Sequence, residues 1–235
     1  MKVIESYIAN GWLEEHDSLE SLTAAVGGTP IFNKFACLTK VRSDGTCKRR
    51  IIMDARRSGV TASSRKMYKA VLPRQTDLVQ DTLRLLSGAK DAESVDYMVL
   101  DADDAFWQVP LHPKERRFYC AMLRDSNGKT RFLSYARTPQ GSRGAPLSWS
   151  QTFGLVCRCV SSVVRDPVIP DAHEMEVYVD DPILVLRGTT SANTEGAALA
   201  ILTWAVLGVG LSFKKGQFGP KACLLYTSPS PRDRG

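Results

Sequence analysis

The chain has 235 residues, 43% hydrophobic and 24% charged, with 31 Lys plus Arg against 25 Asp plus Glu and a formal net charge of +6. These fractions belong to an ordinary globular protein long enough to bury a core, and they exclude collagen, coiled coil and disorder throughout. No apolar run approaches the roughly 20 residues of a bilayer span, and the opening MKVIESYIANGWLEEH carries acids where a signal peptide needs an apolar stretch. The expectation is an intracellular protein, in cytoplasm or nucleus, neither secreted nor membrane-bound. Cys37, Cys47, Cys120, Cys157, Cys159 and Cys223 form no CxxC pair, and there are only three histidines, so reduced thiols are expected rather than a zinc site.

Residues 1 to 25 predict one or two short helices, the second capped by Asp17 or Ser18 and carrying Leu19, Leu22 and Ala25 at helical spacing. FACLTKVRSDGTCKRRIIMD predicts a strand, a Ser-Asp-Gly-Thr turn and a second strand, a hairpin with its arginines on and beyond the turn. Thr76 or Asp77 caps LVQDTLRLLSGAK, where Leu78, Val79, Thr82, Leu83 and Leu86 share one side and Gly88 ends the helix. DYMVLD is a short apolar strand ending in Asp101, and a second hairpin turns at Asp125, Ser126, Asn127 and Gly128. After the Gly-rich TPQGSRGAP, LSWSQTFGLVCRCVSSVV has the length of a buried helix. MEVYVDD and PILVLRG are strands meeting at two aspartates. SANTEGAALAILTWAVLG predicts a helix from Ser191 or Asn193 to Gly208, and GLSF a last strand.

With 112–144 set aside as an insertion, the order from Asp96 onward is strand, helix, strand, strand, helix, strand. This is the split βαβ, ferredoxin-like plan of an α+β protein: an antiparallel sheet with helices on one face. In that plan the first strand lies beside the central hairpin, so Asp101 converges on Asp180 and Asp181 at one sheet edge. Three gathered carboxylates repel one another, and at least one protonates unless cations compensate. With no histidine in attendance, hard oxygen ligands point to Mg²⁺ or Mn²⁺, and two such ions about 4 Å apart are the device for phosphoryl or nucleotidyl transfer. An isolated Asp-Asp also suits a solvated turn.

Charge is concentrated elsewhere. From Lys34 to Arg74 twelve basic residues stand against two acids, a local balance of +10. Such a field suits a polyanion, whether nucleic acid or a nucleotide triphosphate; a solvated basic face is the plainer alternative.

Four motifs in order, KRRIIMDAR at 48–56, VLDADDAFWQVPL at 99–111, RTPQGSRGAP and YVDD at 178–181, resemble the reverse transcriptase family of retroviruses and long-terminal-repeat retrotransposons, over roughly residues 30 to 222. The resemblance implies a right-hand polymerase with fingers at 1–90 and 112–144 and palm at 91–111 and 145–222. It implies RNA or DNA template, DNA or RNA primer and deoxynucleoside triphosphates as partners, with two Mg²⁺ as cofactor and Mn²⁺ as a substitute. Asp101, Asp180 and Asp181 match the metal ligands, with Ala102 offering a backbone carbonyl. Asp104 matches an acid near the triphosphate, and Asp103 faces solvent.

Phe106 matches the aromatic that clashes with a ribose 2′-hydroxyl and so selects deoxynucleotides; this argues against an RNA-templated RNA polymerase. Gln140 and Gly141 match the element lining the nucleotide and primer end. Arg50 matches the arginine that reaches the triphosphate, and Lys40 or Arg42 its basic companion. Lys215, or its neighbour Lys214, matches the lysine that protonates departing pyrophosphate.

The chain departs from the family pattern at three places. Ser58 and Gly59 stand where Asn is usual, Pro182 follows the aspartate pair, and Ala145 replaces a serine. The terminal CLLYTSPSPRDRG does not resemble the family; its core resembles a translated sequencing-library adaptor, so 223–235 is expected to be a non-native tail. On that expectation the thumb is missing. The rival from another class is then a non-catalytic RNA- or DNA-binding remnant.

Overall fold

The computed structural model describes residues 2–41, 45–65, 68–125, 127–166, 168–169 and 171–222, without the side chain of Lys215. Arg42 and the tail 223–235 lie outside the described residues. In chain order the elements are α1 (Lys2–Ala9), β1 (Leu13–His16), α2 (Leu19–Val26), β2 (Lys34–Val41), β3 (Cys47–Asp54), α3 (Val60–Ser63), α4 (Gln75–Ser87) and β4 (Ser94–Ala102). A 3-10 turn (Ala105–Gln108), α5 (Pro113–Arg116), β5 (Cys120–Arg124), β6 (Thr130–Tyr135), α6 (Ala145–Val164), β7 (His173–Tyr178), β8 (Asp181–Gly188), α7 (Thr190–Val206) and β9 (Leu211–Gly219) complete it. All strand pairings within the sheets are antiparallel.

The chain divides into two compact units, one of residues up to 69 with 106–149, the other of 70–105 with 150 onward. These units are divided at 69/70, 105/106 and 149/150, whereas the expected fingers and palm divide at 90/91, 111/112 and 144/145. The first difference has a clear cause. Leu78 and Leu85 of α4 are buried in one cluster with Val95, Val99, Ile183 and Val185, so α4 belongs with the strands that follow it.

In the first unit, β1, β6 and β5 form a three-stranded sheet and β2 with β3 a two-stranded ribbon. Residues 13–16, expected as helical or connecting, are a strand, because Leu13 to His16 pair with Tyr135 to Phe132 and that partner lies far along the chain. Trp107 fills the core between Trp12, stacked at 4.9 Å, and Tyr135, stacked at 5.8 Å. Arg131 of β6 is buried, yet it is held bidentately by Glu15 and again by Glu5, at 2.5–2.6 Å. Charge-assisted bonds of this kind are what allow a guanidinium into a core edge. They also hold the Glu15 carboxyl below its usual range, through the hydrogen bond to Arg131.

In the second unit the sheet order is β7-β8-β4-β9. Ile183 and Val185 of β8 face α4. Leu186, of the opposite parity, lies against Gly196 of α7, and Val164 of α6 approaches the same glycine. Helices therefore cover both faces, not one as expected; α4 supplies the second cover through Leu78 and Leu85. Val79, Leu83 and Leu86, expected on its apolar side, are exposed. The cap of α4 is Arg74, whose backbone N–H donates to Asp77 at 2.8 Å. Helix α7 starts from Thr189, whose hydroxyl accepts from the Ala192 N–H, while Asn193 is buried and donates to Asp96 at 2.7 Å.

Candidate functional site

The acids of the second unit meet through the backbone. Tyr178 pairs with Asp181, so β7 and β8 are joined by the two residues Val179 and Asp180. The Ala102 N–H at the end of β4 donates to the Asp180 carbonyl at 2.8 Å, which sets the strand-end acid Asp101 beside the turn. Asp101 follows Val95 and Val99 at even spacing, and Asp181 precedes Ile183 and Val185 likewise. The period of two therefore puts both on the α4 face of the sheet. There a cavity of about 310 Å³ is lined by Pro73, Leu78, Glu176, Tyr178, Asp181 and Ile183. Burial, reinforced by Asp81 and Asp77, pushes the Glu176 carboxyl above its usual value.

The turn is conformationally strained. Val179 sits at φ +60°, left-handed backbone that a β-branched residue rarely adopts. The two-residue hairpin places the positive φ at its first central position, where glycine is the ordinary choice. Pro182 fits without loss to β7. With Tyr178 and Asp181 as the bonded closing pair, Val177 and Pro182 form the next, non-bonded pair, so no N–H was needed on that side. Toward β4 the continuous register stops at Val99 with Ile183, beside the residue that has no donor.

Asp103 and Asp104 are exposed beyond β4. The Asp103 N–H donates to Gly210 at 2.9 Å, and Asp104 takes φ +49°, a conformation aspartate tolerates better than most residues. On the far side of β4, its register with β9 shifts between Val99 with Gln217 and Asp101 with Ser212, so β9 carries extra residues opposite Leu100. Lys214 and Lys215 lie in that excursion; Lys214 is exposed, and the Lys215 side chain is outside the described residues. Among the described residues no three His, Cys, Asp or Glu side chains are gathered closely enough to hold a metal ion. The backbone brings the three acids together, but their side chains do not form a closed ligand cage.

The first unit holds the cations and the Gln140–Gly141 loop. Arg50 lies opposite Leu38, and Lys40 opposite Lys48, all on one face of the β2–β3 ribbon. Ile51 and Met53, of the other parity, are buried. Lys48 is a further cation on that face. The Gln140 carbonyl accepts from the Met53 N–H at 2.9 Å. Gly141, at φ +101°, lies against Ile52, which shares the face of Arg50, Lys40 and Lys48. The close approach that this glycine makes is to β3.

Phe106 is half-buried on the 3-10 turn, fixed by Trp107 in the aromatic stack on one side and by the Val109 N–H donating to its carbonyl on the other. Trp107, not Phe106, is the core residue of that motif.

Ser58 also finds a partner. Its hydroxyl donates to Asn33 Oδ1 at 2.6 Å, so a side chain immediately before β2 contacts the turn where Ser58 and Gly59 depart from the family pattern.

Residues 52–223 match the family model described as reverse transcriptase (RNA-dependent DNA polymerase). The chain is similar to the Gag-Pol polyprotein of avian reticuloendotheliosis virus, 28% identical over 181 residues that cover 77% of this chain and 14% of that polyprotein. It is also similar to the Gag-Pol polyprotein of koala retrovirus, 32% identical over 122 residues, covering 52% of this chain and 7% of the polyprotein. The Gag-Pol polyprotein of woolly monkey sarcoma virus is 29% identical over 126 residues, with 53% and 7% covered. The chain thus spans no more than about a seventh of the curated relatives it matches. Among the described residues no helix is long and apolar enough to cross a membrane.

Proposed function

The chain belongs to the reverse transcriptase (RNA-dependent DNA polymerase) family, and on that premise we propose that it holds fingers and palm and adds deoxynucleotides to a primer 3′-hydroxyl under the direction of an RNA or DNA template. The observation that carries the reading is the Ala102–Asp180 backbone bond, which sets the acid of one strand end beside the two acids of the β7–β8 turn. Strand, helix, strand, strand, helix, strand in the order β7-β8-β4-β9 supports a split βαβ palm. The first unit is read as fingers.

Three carboxylates with no nitrogen or sulfur donor suit hard divalent cations, so Asp101, Asp180 and Asp181, with the Ala102 carbonyl, are the groups to hold Mg²⁺ or Mn²⁺. Held there, such ions would supply Lewis acidity to the 3′-hydroxyl and positive charge to the leaving group. The 3′-hydroxyl releases its proton to solvent, its oxygen forms a bond to the α-phosphorus, the bond from that phosphorus to the bridging oxygen breaks, and pyrophosphate leaves. Arg50 and Lys40, on one face of the ribbon, receive the triphosphate, with Arg50 able to contact it bidentately. Gln140 and Gly141 hold the nucleotide from the loop docked on β3, and Asp104 lies near the triphosphate. Phe106, on a turn anchored by Trp107, excludes the 2′-hydroxyl. Lys215, or Lys214, gives a proton to pyrophosphate.

Primer extension with the full chain tests this. Mg²⁺-dependent incorporation that disappears in Asp180→Asn supports the reading. Salt-sensitive RNA binding without any turnover favours the non-catalytic remnant instead.

A further inference from the structure

Ser58 and Asn33 are joined by a bond whose position on the ribbon's core side suggests a use beyond folding. Asn33 is buried, and its amide Nδ2 donates to the carbonyls of Phe118 at 2.9 Å, Ile31 at 3.2 Å and Cys120 at 3.3 Å. Its backbone N–H donates to Cys120 at 2.8 Å as well, so the residue is fastened to the start of β5 independently of Ser58. The side-chain amide oxygen accepts the Ser58 hydroxyl at 2.6 Å, the shorter of that hydroxyl's two contacts, the other being to the Ala55 carbonyl of its own turn at 3.1 Å. Ser58 sits in the turn after β3, between the exposed Arg57 and Gly59, which at φ +82° caps α3. The same turn is closed by the Thr61 N–H donating to Ala55 at 3.0 Å and by the Arg56 N–H donating to the Asp54 carboxylate at 3.0 Å. Ser58 also lines a cavity of about 530 Å³, together with Ile31, Phe118 and Tyr119.

We infer that Asn33 and Ser58 are a positioning pair: the rigidly held amide fixes the turn that carries Arg56 and Arg57, and so sets those two guanidinium groups where they meet the phosphates of a template–primer duplex. The inference rests on the polymerase reading above. A hydroxyl–amide bond of this kind is the kind of contact whose loss changes a turn without unfolding a sheet, because the other bonds of Asn33 are made to backbone that Ser58 does not touch. The pair acts through the arginines and touches no nucleotide itself.

The experiment is fluorescence anisotropy of the full chain with a labelled RNA–DNA template–primer duplex over a series of KCl concentrations. Ser58→Ala is expected to weaken binding by about 2- to 10-fold, the range a single net hydrogen bond supports. It is also expected to flatten the dependence of log K on log salt by about one to two phosphate contacts. Ser58→Thr, which keeps the hydroxyl, should restore both. In a chain carrying Arg56→Ala and Arg57→Ala, adding Ser58→Ala should cost nothing further. Unchanged binding and slope in Ser58→Ala, or an equal loss in the background without the two arginines, overturns the inference while leaving the polymerase reading intact. Failure of the unaltered chain to bind the duplex overturns the nucleic-acid reading itself, and the inference with it.

Discussion

Gly141 stands so close to β3 that a β-carbon on it would come within 2.3 Å of the Met53 carbonyl oxygen and 2.7 Å of Ile52 Cγ2. The loop that carries Gln140 is therefore welded to the strand that carries Arg50. Its φ of +101° adds a second reason for glycine, since a side chain there is strained even in open space. Gly141→Ala is expected to cost about 2 to 4 kcal/mol, from overpacking and backbone strain together. Gly144→Ala, with nothing within 4 Å, serves as the neutral control. Thermal melting of the two variants gives the comparison; equal midpoints would remove the close-approach argument.

Val179 presents the opposite case. Left-handed backbone costs a non-glycine residue about 1–2 kcal/mol, and glycine returns about 0.5–1 of that as chain entropy. Val179→Gly is therefore expected to stabilise the chain slightly, by about 0.5–1 kcal/mol, raising the melting midpoint by roughly 1 to 4 °C. If the strained turn fixes Asp180 and Asp181, the same variant should incorporate nucleotide more slowly in primer extension. A variant both less stable and fully active would contradict both halves of the argument.

His173 carries a pH dependence with a definite sign. Burial holds its imidazole below the ordinary value of 6.5, and its Nε2 lies 2.8 Å from the Ser161 hydroxyl. The folded chain thus favours the neutral ring. Its stability contribution is complete above about pH 6.5 and is lost as the pH falls below that, toward the lowered folded-state value. His16 is lowered for the same main reason, burial, and acts in the same sense. Glu174 and Glu176, raised chiefly by burial, act in the opposite sense and gain stability on protonation. The His173 share is isolated by subtracting the urea midpoints of His173→Gln from those of the unaltered chain at pH 7.5 and 5.5. The difference should be larger at pH 7.5, and a difference that does not change with pH refutes the assignment.

The Arg131 cluster predicts an order of severity. Glu5→Ala with Glu15→Ala leaves a buried guanidinium without its carboxylates, a loss of about 3–5 kcal/mol. Arg131→Leu removes the buried charge and returns two partly exposed carboxylates to water, so it should cost distinctly less. Chemical denaturation of the two variants checks the order, and its reversal would mean that the cluster contributes through the glutamates rather than through the arginine.

What could be read from the chain beforehand was what depends on near neighbours. The β2–β3 hairpin, β4 ending at Asp101, the β7–β8 turn and the span of α7 follow from alternation, turn residues and helical period, all local signals. Strand β1 escaped notice because nothing in Leu13 to His16 marks a strand until β6 lies alongside. Periodicity found an apolar side of α4, but Leu78 and Leu85 alone are buried there, since the sheet meets the helix along a narrower line than its sequence advertises. Asn193 looked like a cap and is instead a buried donor, because Thr189 already supplies the capping oxygen. The nearness of the Asp101 strand end to the β7–β8 turn was legible, since strand order and alternation alone place them at one sheet edge. The Gly141 contact with β3 and the Asn33–Ser58 bond were not, as each joins segments whose proximity no spacing encodes.

Strand β4 is bordered on both sides by strands made much later, β8 about 80 residues further on and β9 later still. At translation rates of roughly 5–20 residues per second, the two apolar faces of β4, Val95 and Val99 on one and Met98 and Leu100 on the other, wait on the order of 4 to 16 seconds on the ribosome before β8 has been synthesised. A nascent chain arrested between the two is an adhesive one, and its yield in a cell should follow chaperone supply more closely than it follows the stability of the finished molecule.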